Sequence, residues 1–249
     1  MIVLKSPREL ELMRKAGSIV ARILEELAAM IKPGISTGEL NSYAESRCKD
    51  LKARPSFLGY RDFPASLCIS INDEIVHGIP SDRRLLKEGD IVSLDFGACY
   101  ESWHGDSACT VPVGSISKEA ERLIDVTRES LKRGIQQCVE GYHVSDIGNA
   151  IQNYVEPFGY SVVREFVGHG IGRTLHEEPQ IPNFGQKGRG VQLKVGMVLA
   201  IEPMINAGGH EVRVLGDGWT AVTADHSLSA HFEHTVAITP DGAVILTEV

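Results

Sequence analysis

No stretch of the 249-residue sequence approaches the roughly 18 consecutive apolar residues that a transmembrane helix requires. Cysteine is sparse: Cys48, Cys68, Cys99, Cys109 and Cys138 are odd in number and scattered, without a C-x-x-C pair. That excludes a disulfide framework and a zinc ribbon, and it fits a reducing cytoplasm. Clustered cations are missing as well. Lys and Arg total 25 against 33 Asp and Glu, a formal net charge of -8, so nothing is available to neutralise nucleic-acid phosphates or an anionic membrane. The opening Met1-Ile-Val-Leu-Lys5 is too short for the apolar core of a signal peptide. H-E-x-x-H and P-loop motifs are absent. What remains is a soluble chain, 43% hydrophobic and therefore able to bury a sizeable core, with eight excess negatives to account for.

Ser6-Pro7-Arg8-Glu9 joins a Ser cap, a Pro at the first helical position and a Glu three residues after the cap. Leu10, Met13, Ile19, Ile23, Leu27 and Met30 follow at helical spacing, so a helix over 7–31 is expected, stopped by Pro33-Gly34. Ser36-Thr37-Gly38-Glu39 repeats the capping box and starts a second helix toward Cys48. Residues 54–66 read as a loop with three aromatics, and β-branched runs predict strands over 67–71, 91–96 and 107–113. Helices are expected again over 118–137 and 146–156, then short strands over 162–166, 197–201, 219–222, 231–238 and 243–247.

This order suggests a duplication. Leu86-Lys-Glu-Gly-Asp-Ile-Val-Ser-Leu-Asp95 aligns without gaps on Leu193-Lys-Val-Gly-Met-Val-Leu-Ala-Ile-Glu202 at an offset of 107, with Leu, Lys and Gly identical and an acid closing both. The same offset sets Gly34 on Gly141 and Glu39-Leu40 on Asp146-Ile147. Matching Asp106 to Glu233 needs an offset of 127, so about twenty extra residues fall in the second half, around 208–219, with the turn glycines of a protruding hairpin. The reading is a single catalytic domain over 1–249 of the α+β class, its halves about 1–113 and 114–249. They are related by a pseudo-twofold axis, with antiparallel sheet at a shared site and helices on one face.

Asp95 closes an apolar strand, and an ionised carboxylate there costs several kcal/mol unless a cation or donors compensate it. Its repeat mate Glu202 is in the same position, and two such acids meeting across the axis repel. Asp106 on the next strand and Glu233 in the second half bring the set to four carboxylates, whose charge two divalent cations would cancel. Taken singly, each acid is more simply a turn cap or an arginine partner. Taken with the repeat, a dinuclear metal site is the better account. Among histidines, His169 and His176 lie seven residues apart across Val167-Gly-His-Gly-Ile-Gly172, where backbone can approach a ligand. A dinucleotide fingerprint fails there because Arg173 holds the third glycine's place. His77 follows a strand beside Gly78, consistent with a functional loop group. His104, His231 and His234 flank site acids and rank below His169; His143, His210 and His226 read as structural or exposed.

Asn72 to Pro80, Ser93-Leu-Asp-Phe-Gly97, Gly105-Asp-Ser107, Gly168-His-Gly-Ile-Gly172, His176-Glu-Glu-Pro179, Ile201-Glu-Pro-Met204 and His231-Phe-Glu-His-Thr235, in this order and spacing, resemble the type I, bacterial-like methionine aminopeptidases over essentially the whole chain. The resemblance implies the pita-bread fold and removal of N-terminal methionine from new proteins and peptides by metal-activated water attack on the first peptide bond. It implies Asp95, Asp106, His169, Glu202 and Glu233 as metal ligands, with Asp106 and Glu233 bridging. It also implies Glu202 as proton carrier, and His77 and His176 as histidines that contact substrate. Two divalent ions are implied, and one nitrogen among oxygens suits manganese, iron, cobalt or zinc alike. A methionine pocket would be built from Phe57, Tyr60, Phe63, Cys68, Leu175 and Trp219, whose rings and sulfur suit a thioether. Phe57, Phe63 and Leu175 stand where a Cys, a Tyr and a Phe are often found, so the pocket's shape departs from some relatives. Implied partners are nascent polypeptides near the ribosome, met by a cytoplasmic monomer. Rival readings are a proline-directed aminopeptidase or dipeptidase of the same fold, whose members usually carry an extra N-terminal domain, and a metal-free binding protein that has lost the enzyme.

Overall fold

Ser6 opens the first helix because its backbone N–H donates to Oε2 of Glu9 at 2.8 Å, and Pro7 costs nothing at a position whose N–H has no helical acceptor. In the computed structural model, which describes residues 2–248, the helical elements are α1 (Pro7–Met30), α2 (Thr37–Asp50), α3 (Lys118–Ile135) and α4 (Val144–Val155). Between α2 and α3 come β1 (Arg54–Pro55), β2 (Cys68–Ile71), β3 (Glu74–Val76), β4 (Ile91–Tyr100) and β5 (Trp103–Pro112). After α4 come β6 (Ser161–Val162), β7 (Gly168–Gly170), β8 (Glu177–Ile181), β9 (Val198–Ile201), β10 (Met204–Asn206), β11 (Val212–Val214), β12 (Ala221–Thr223), β13 (Ser229–His231), β14 (His234–Thr239) and β15 (Gly242–Ile245). Residues 1 and 249 of the domain reading lie outside the described residues. Among the described residues no helix is long and apolar enough to cross a membrane.

Every strand pairing is antiparallel. The strands fall into four hydrogen-bonded sheets: β1-β4-β2 with β5 on β4, β13-β10-β6, β11-β12-β3, and β15-β14-β9-β7-β8. The apolar stripe of α1, with Met13, Val20, Ile23, Leu24 and Leu27 buried, packs over the β4–β5 hairpin. One buried cluster joins it to Leu40, Leu94 and Phe96; a second gathers Leu123, Ile124, Ile147 and Ile151 of α3 and α4 against Leu199 and Ile201. Each fully buried aliphatic side chain contributes roughly 1.5–3 kcal/mol over its exposed state.

The repeat is visible in the backbone. Gly34 N–H donates to Leu86 O at 2.8 Å and Gly141 N–H to Leu193 O at 3.0 Å; Leu86 N–H donates to Ile35 O at 2.9 Å and Leu193 N–H to Tyr142 O at 2.7 Å. Ser36 N–H reaches Glu39 and His143 N–H reaches Asp146, both at 2.9 Å. Gly89 and Gly196 make the same turn at φ 92° and 90°, where a side chain would be strained. All these pairs stand 107 apart. The β11–β12 hairpin, turned at Gly216-Asp217-Gly218, supplies the extra residues, and β12 also pairs with β3.

Several sequence expectations need correction. The strand expected to stop at Phe96 continues to Tyr100, because the charge of Asp95 interrupts the apolar run but not the ladder, so Asp95 lies in mid-strand rather than at the end. The expected strand over 162–166 is only Ser161–Val162, and that over 231–238 is broken at Phe232-Glu233. The loop over 54–66 contains β1 and a single tight turn at Tyr60–Asp62. The strands β3, β7, β8 and β10 had no counterpart in the reading of the sequence.

Candidate metal centre

Alternation along β4 decides where Asp95 points. Val92, Leu94, Phe96 and Ala98 belong to the first core, so Ser93, Asp95 and Gly97 face the other way. Across the hairpin Gly97 pairs with Asp106, and across the other edge Cys68 pairs directly with Asp95. Asp95, Asp106 and Cys68 therefore share a face. Gly97 keeps that face open: a Cβ there would meet the Phe57 ring at 2.8 Å and Oδ1 of Asp106 at 3.3 Å.

The second half brings its acids to the same place. Glu202 follows the last residue of β9, and Glu233 immediately precedes β14. Glu233 N–H donates to Ala108 O at 2.9 Å, and the Ser107 hydroxyl donates to Glu233 O at 2.5 Å. Thr235 Oγ1 accepts from Asp106 N–H at 3.0 Å and donates to Asp106 O at 2.7 Å. These bonds stitch the two acid-bearing segments together across the halves.

His169 lies in β7, between β8 and β9. Its Nδ1 is 2.9 Å from Gly170 O, an atom that only accepts, so the proton sits on Nδ1 and Nε2 presents a lone pair. Nε2 is 3.5 Å from Oε1 of Glu202. Asp106, His169 and Glu233 are all buried, and each offers a donor atom within 4.8 Å of the others.

The electrostatics of this cluster are unfavourable as it stands. Burial pushes Asp95 up to about 7. Burial, then the neighbouring Asp95 and Glu202, raises Asp106 well above the usual carboxylate range; burial and Asp95 do the same to Glu202. Glu233 is raised by burial and by Asp106, Glu202 and Asp95. Oδ1 of Asp95, Oδ1 of Asp106 and Oε1 of Glu233 are buried with no hydrogen-bond partner. Orphaned carboxylate oxygens around a free imidazole lone pair are what a divalent cation would satisfy, removing the repulsion and the desolvation cost together. One nitrogen among carboxylates fits manganese, iron, cobalt or zinc. The residues present fit such a group.

Every residue that the sequence singles out as ligand, catalyst or pocket wall lines one cleft, with a cavity volume of about 140 Å³. Phe57, Phe63, Cys68 and Leu175 are buried at one end, where the Phe63 and Trp219 rings meet edge to face at 5.1 Å. His77, with φ 62°, meets Phe166 at 5.3 Å and Trp219 at 6.1 Å. The ring of His176 lies 4.1 Å from that of His169 and stacks on Tyr60 at 5.1 Å, with Nδ1 2.8 Å from the Tyr60 hydroxyl. Removal from water lowers His77 and His169 to about 4; His176 falls to about 3 by the same cause and by the adjacent His169, Arg61, His77 and His104. Burial pushes the Cys68 thiol far up, and the acids add to it, so it is an apolar wall rather than a nucleophile.

The lesser histidines lie outside the metal cluster. His104 Nδ1 pairs with Ser56 Oγ at 2.8 Å, and His234 Nδ1 with Thr247 Oγ1 at 2.9 Å. His231 is buried with Nε2 unpartnered, His143 caps α4, and His226 faces Asp73 at 3.1 Å. Two residues escaped the sequence reading. Thr235 is a β-branched residue in a strand and looks like packing. Arg61 sits at the cleft wall with no pattern to mark it.

Residues 11–240 match the model of metallopeptidase family M24. The chain is 56% identical over 249 residues to methionine aminopeptidase 1 of Bacillus subtilis, covering all of both. The crystal structure of methionine aminopeptidase from Thermotoga maritima superposes with a TM-score of 0.99 at 46% identity, covering 100% of each chain. The prolidase of Pyrococcus furiosus is similar at a TM-score of 0.78 and 24% identity over 99% of this chain and 66% of that one, a likeness of fold alone. The architecture is the pita-bread fold of these proteins.

Proposed function

The chain belongs to metallopeptidase family M24, and from that premise we propose that it removes the N-terminal methionine from newly made proteins and peptides as a metal-dependent aminopeptidase. Its full-length likeness to methionine aminopeptidases supports the substrate. The observation that carries the chemistry is the set of orphaned carboxylate oxygens around the Nε2 lone pair of His169, in a cleft also lined by buried apolar side chains.

Asp95, Asp106, His169, Glu202 and Glu233 would hold divalent ions, which would supply a water acidic enough to attack at neutral pH and positive charge for the carbonyl oxygen. The remaining work falls to the chain's own residues. Glu202 takes the proton of the attacking water and returns it to the leaving amine. His176 is neutral at working pH. The Tyr60 hydroxyl, 2.8 Å from Nδ1, occupies that nitrogen and leaves Nε2 to face the oxygen on which charge develops. His77 steadies the peptide beyond the cut. Phe57, Tyr60, Phe63, Cys68, Leu175 and Trp219 take the methionine side chain, whose thioether suits aromatic edges. Recognition of the free α-amino group at the acid-lined metal centre would limit cleavage to the first residue.

One catalytic domain over 1–249, its halves near 1–113 and 114–249, is supported by the turns that recur 107 residues apart. A reducing cytoplasm agrees with the five free thiols; a monomer acting on nascent chains near the ribosome is what the resemblance implies. The test is to strip and restore divalent metal and to offer Met-Ala-Ser, Leu-Ala-Ser and Ala-Pro-Ser. Metal-dependent release of methionine alone supports the assignment; cleavage confined to Ala-Pro-Ser overturns it in favour of a proline-directed enzyme.

A further inference from the structure

Arg61 is the one lysine or arginine among the described residues that line the cleft. It is exposed, and among the described residues it takes part in no ion pair, its neighbour Asp62 included. The turn holds it in an unusual way. Arg61 sits at φ 49°, ψ 34° and Asp62 follows at φ 70°, two successive non-glycine residues in the left-handed region. The turn is clamped by Gly59 N–H on Phe63 O and Phe63 N–H on Tyr60 O, both at 2.9 Å. Unfavourable backbone of this kind persists where the surroundings over-determine it, most often at functional sites. The guanidinium lies 5.5 Å from the centre of the Tyr60 ring, and Tyr60 is the residue stacked on His176.

The residues lining the cleft differ in exposure. Phe57, Phe63, Cys68 and Leu175 are buried; Tyr60, His77 and Trp219 are half-buried; His176 and Arg61 are exposed. A peptide whose first side chain fills the buried part leaves by the exposed part, which His176 and Arg61 line. An unpaired guanidinium presents a planar fork that matches a carboxylate.

We propose that Arg61 is a specificity-determining residue that selects substrates carrying a carboxylate shortly beyond the cleaved bond, from an acidic side chain or from the terminus of a short peptide. The inference rests on the aminopeptidase reading and names a substrate class within it. The experiment uses the metal-loaded, full-length protein and compares kcat/KM for amidated Met-Ala-Gln-Ser, Met-Ala-Glu-Ser, Met-Ala-Ser-Glu and Met-Ala-Lys-Ser, with Met-Ala-Gln-Ser as the free acid. The glutamate peptides report a side-chain carboxylate, and the free acid reports a terminal one. Either kind should exceed the neutral amide by about two- to five-fold, and the lysine peptide should lag by a similar factor. The gap should close as salt is raised. Arg61→Gln should level the ratios, Arg61→Glu should reverse them, and Arg61→Lys should retain most of the preference. A role confined to supporting Tyr60 would slow all peptides alike and leave the ratios untouched. Equal ratios in wild type and Arg61→Gln overturn the proposal, while failure to hydrolyse even the neutral amide with metal present overturns the aminopeptidase reading beneath it.

Discussion

Nζ of Lys5 donates to Oε2 of Glu177 at 2.7 Å, with the two side chains 3% and 14% exposed, and so ties the N-terminal segment to the turn that carries His176. The lysine is anchored again by its backbone N–H on Gly196 O at 2.7 Å. Glu177 also accepts from Thr174 N–H at 3.3 Å. Removing one partner of such a pair leaves a charge buried and alone. Lys5→Met and Glu177→Gln should each cost about 3–5 kcal/mol of stability by urea unfolding, and the double variant should recover part of the loss. Burial works to raise the Glu177 carboxyl, but the Lys5 contact and the backbone N–H groups of Thr174 and Arg173 together outweigh it, and the net shift is downward. The pair's stability is therefore present above the ordinary glutamate range and is lost as pH falls through the lower folded value. Unchanged stability in Lys5→Met would contradict this.

The acid cluster has the opposite sign. Asp95, held near 7 when folded against 3.8 as its ordinary value, keeps its proton in the native state across a window where the unfolded chain has released it. Metal-free protein should lose thermal stability as pH rises from about 4 to 7, and Asp95→Asn should flatten that slope. Adding a divalent ion should reverse the trend, because ligation needs the deprotonated carboxylates. Scanning fluorimetry with chelator and with manganese checks both. A metal-free protein that gains stability over that window would sink the assignment.

His169→Ala should abolish methionine release and weaken metal binding, read by calorimetry. His176→Ala should leave metal affinity intact and lower kcat by about 10²–10³, the usual loss for one donor to a developing oxyanion. Tyr60→Phe keeps the stack but removes the hydroxyl that orients His176 through Nδ1, and should lower kcat by about ten-fold with little change in KM. Unaltered metal affinity in His169→Ala would contradict the first of these.

Thr235→Val keeps shape and removes the hydroxyl that both accepts from and donates to the backbone of Asp106. Left unpaired in a buried site, those backbone groups should cost about 1–3 kcal/mol in denaturant unfolding, together with weaker metal binding. Thr235→Ser should restore most of both.

The helices were legible because their starts are written locally, in Ser6 to Glu9 and Ser36 to Glu39, and the repeat was legible because both copies keep the turn at Gly89 and Gly196. The four acids stood out because Asp95 and Glu202 break apolar runs. Strands of three residues such as β3, β7 and β10 leave too short a pattern for alternation to show. The placement of Arg61 is a tertiary fact, made by a left-handed turn between two aromatics, and no residue type demands it. The roles of Thr235 and Lys5 likewise depend on partners 129 and 172 residues away.

The central claim is that buried carboxylates and His169 hold divalent metal which the cleft uses to open the first peptide bond. Its most direct test is methionine release from Met-Ala-Ser as manganese is titrated into metal-free protein. Release should be absent without metal, rise with each increment and level off by about two equivalents, the number whose charge balances the four acids. Undiminished release from protein stripped of all divalent metal, or none at any manganese, iron, cobalt or zinc loading, would contradict the account.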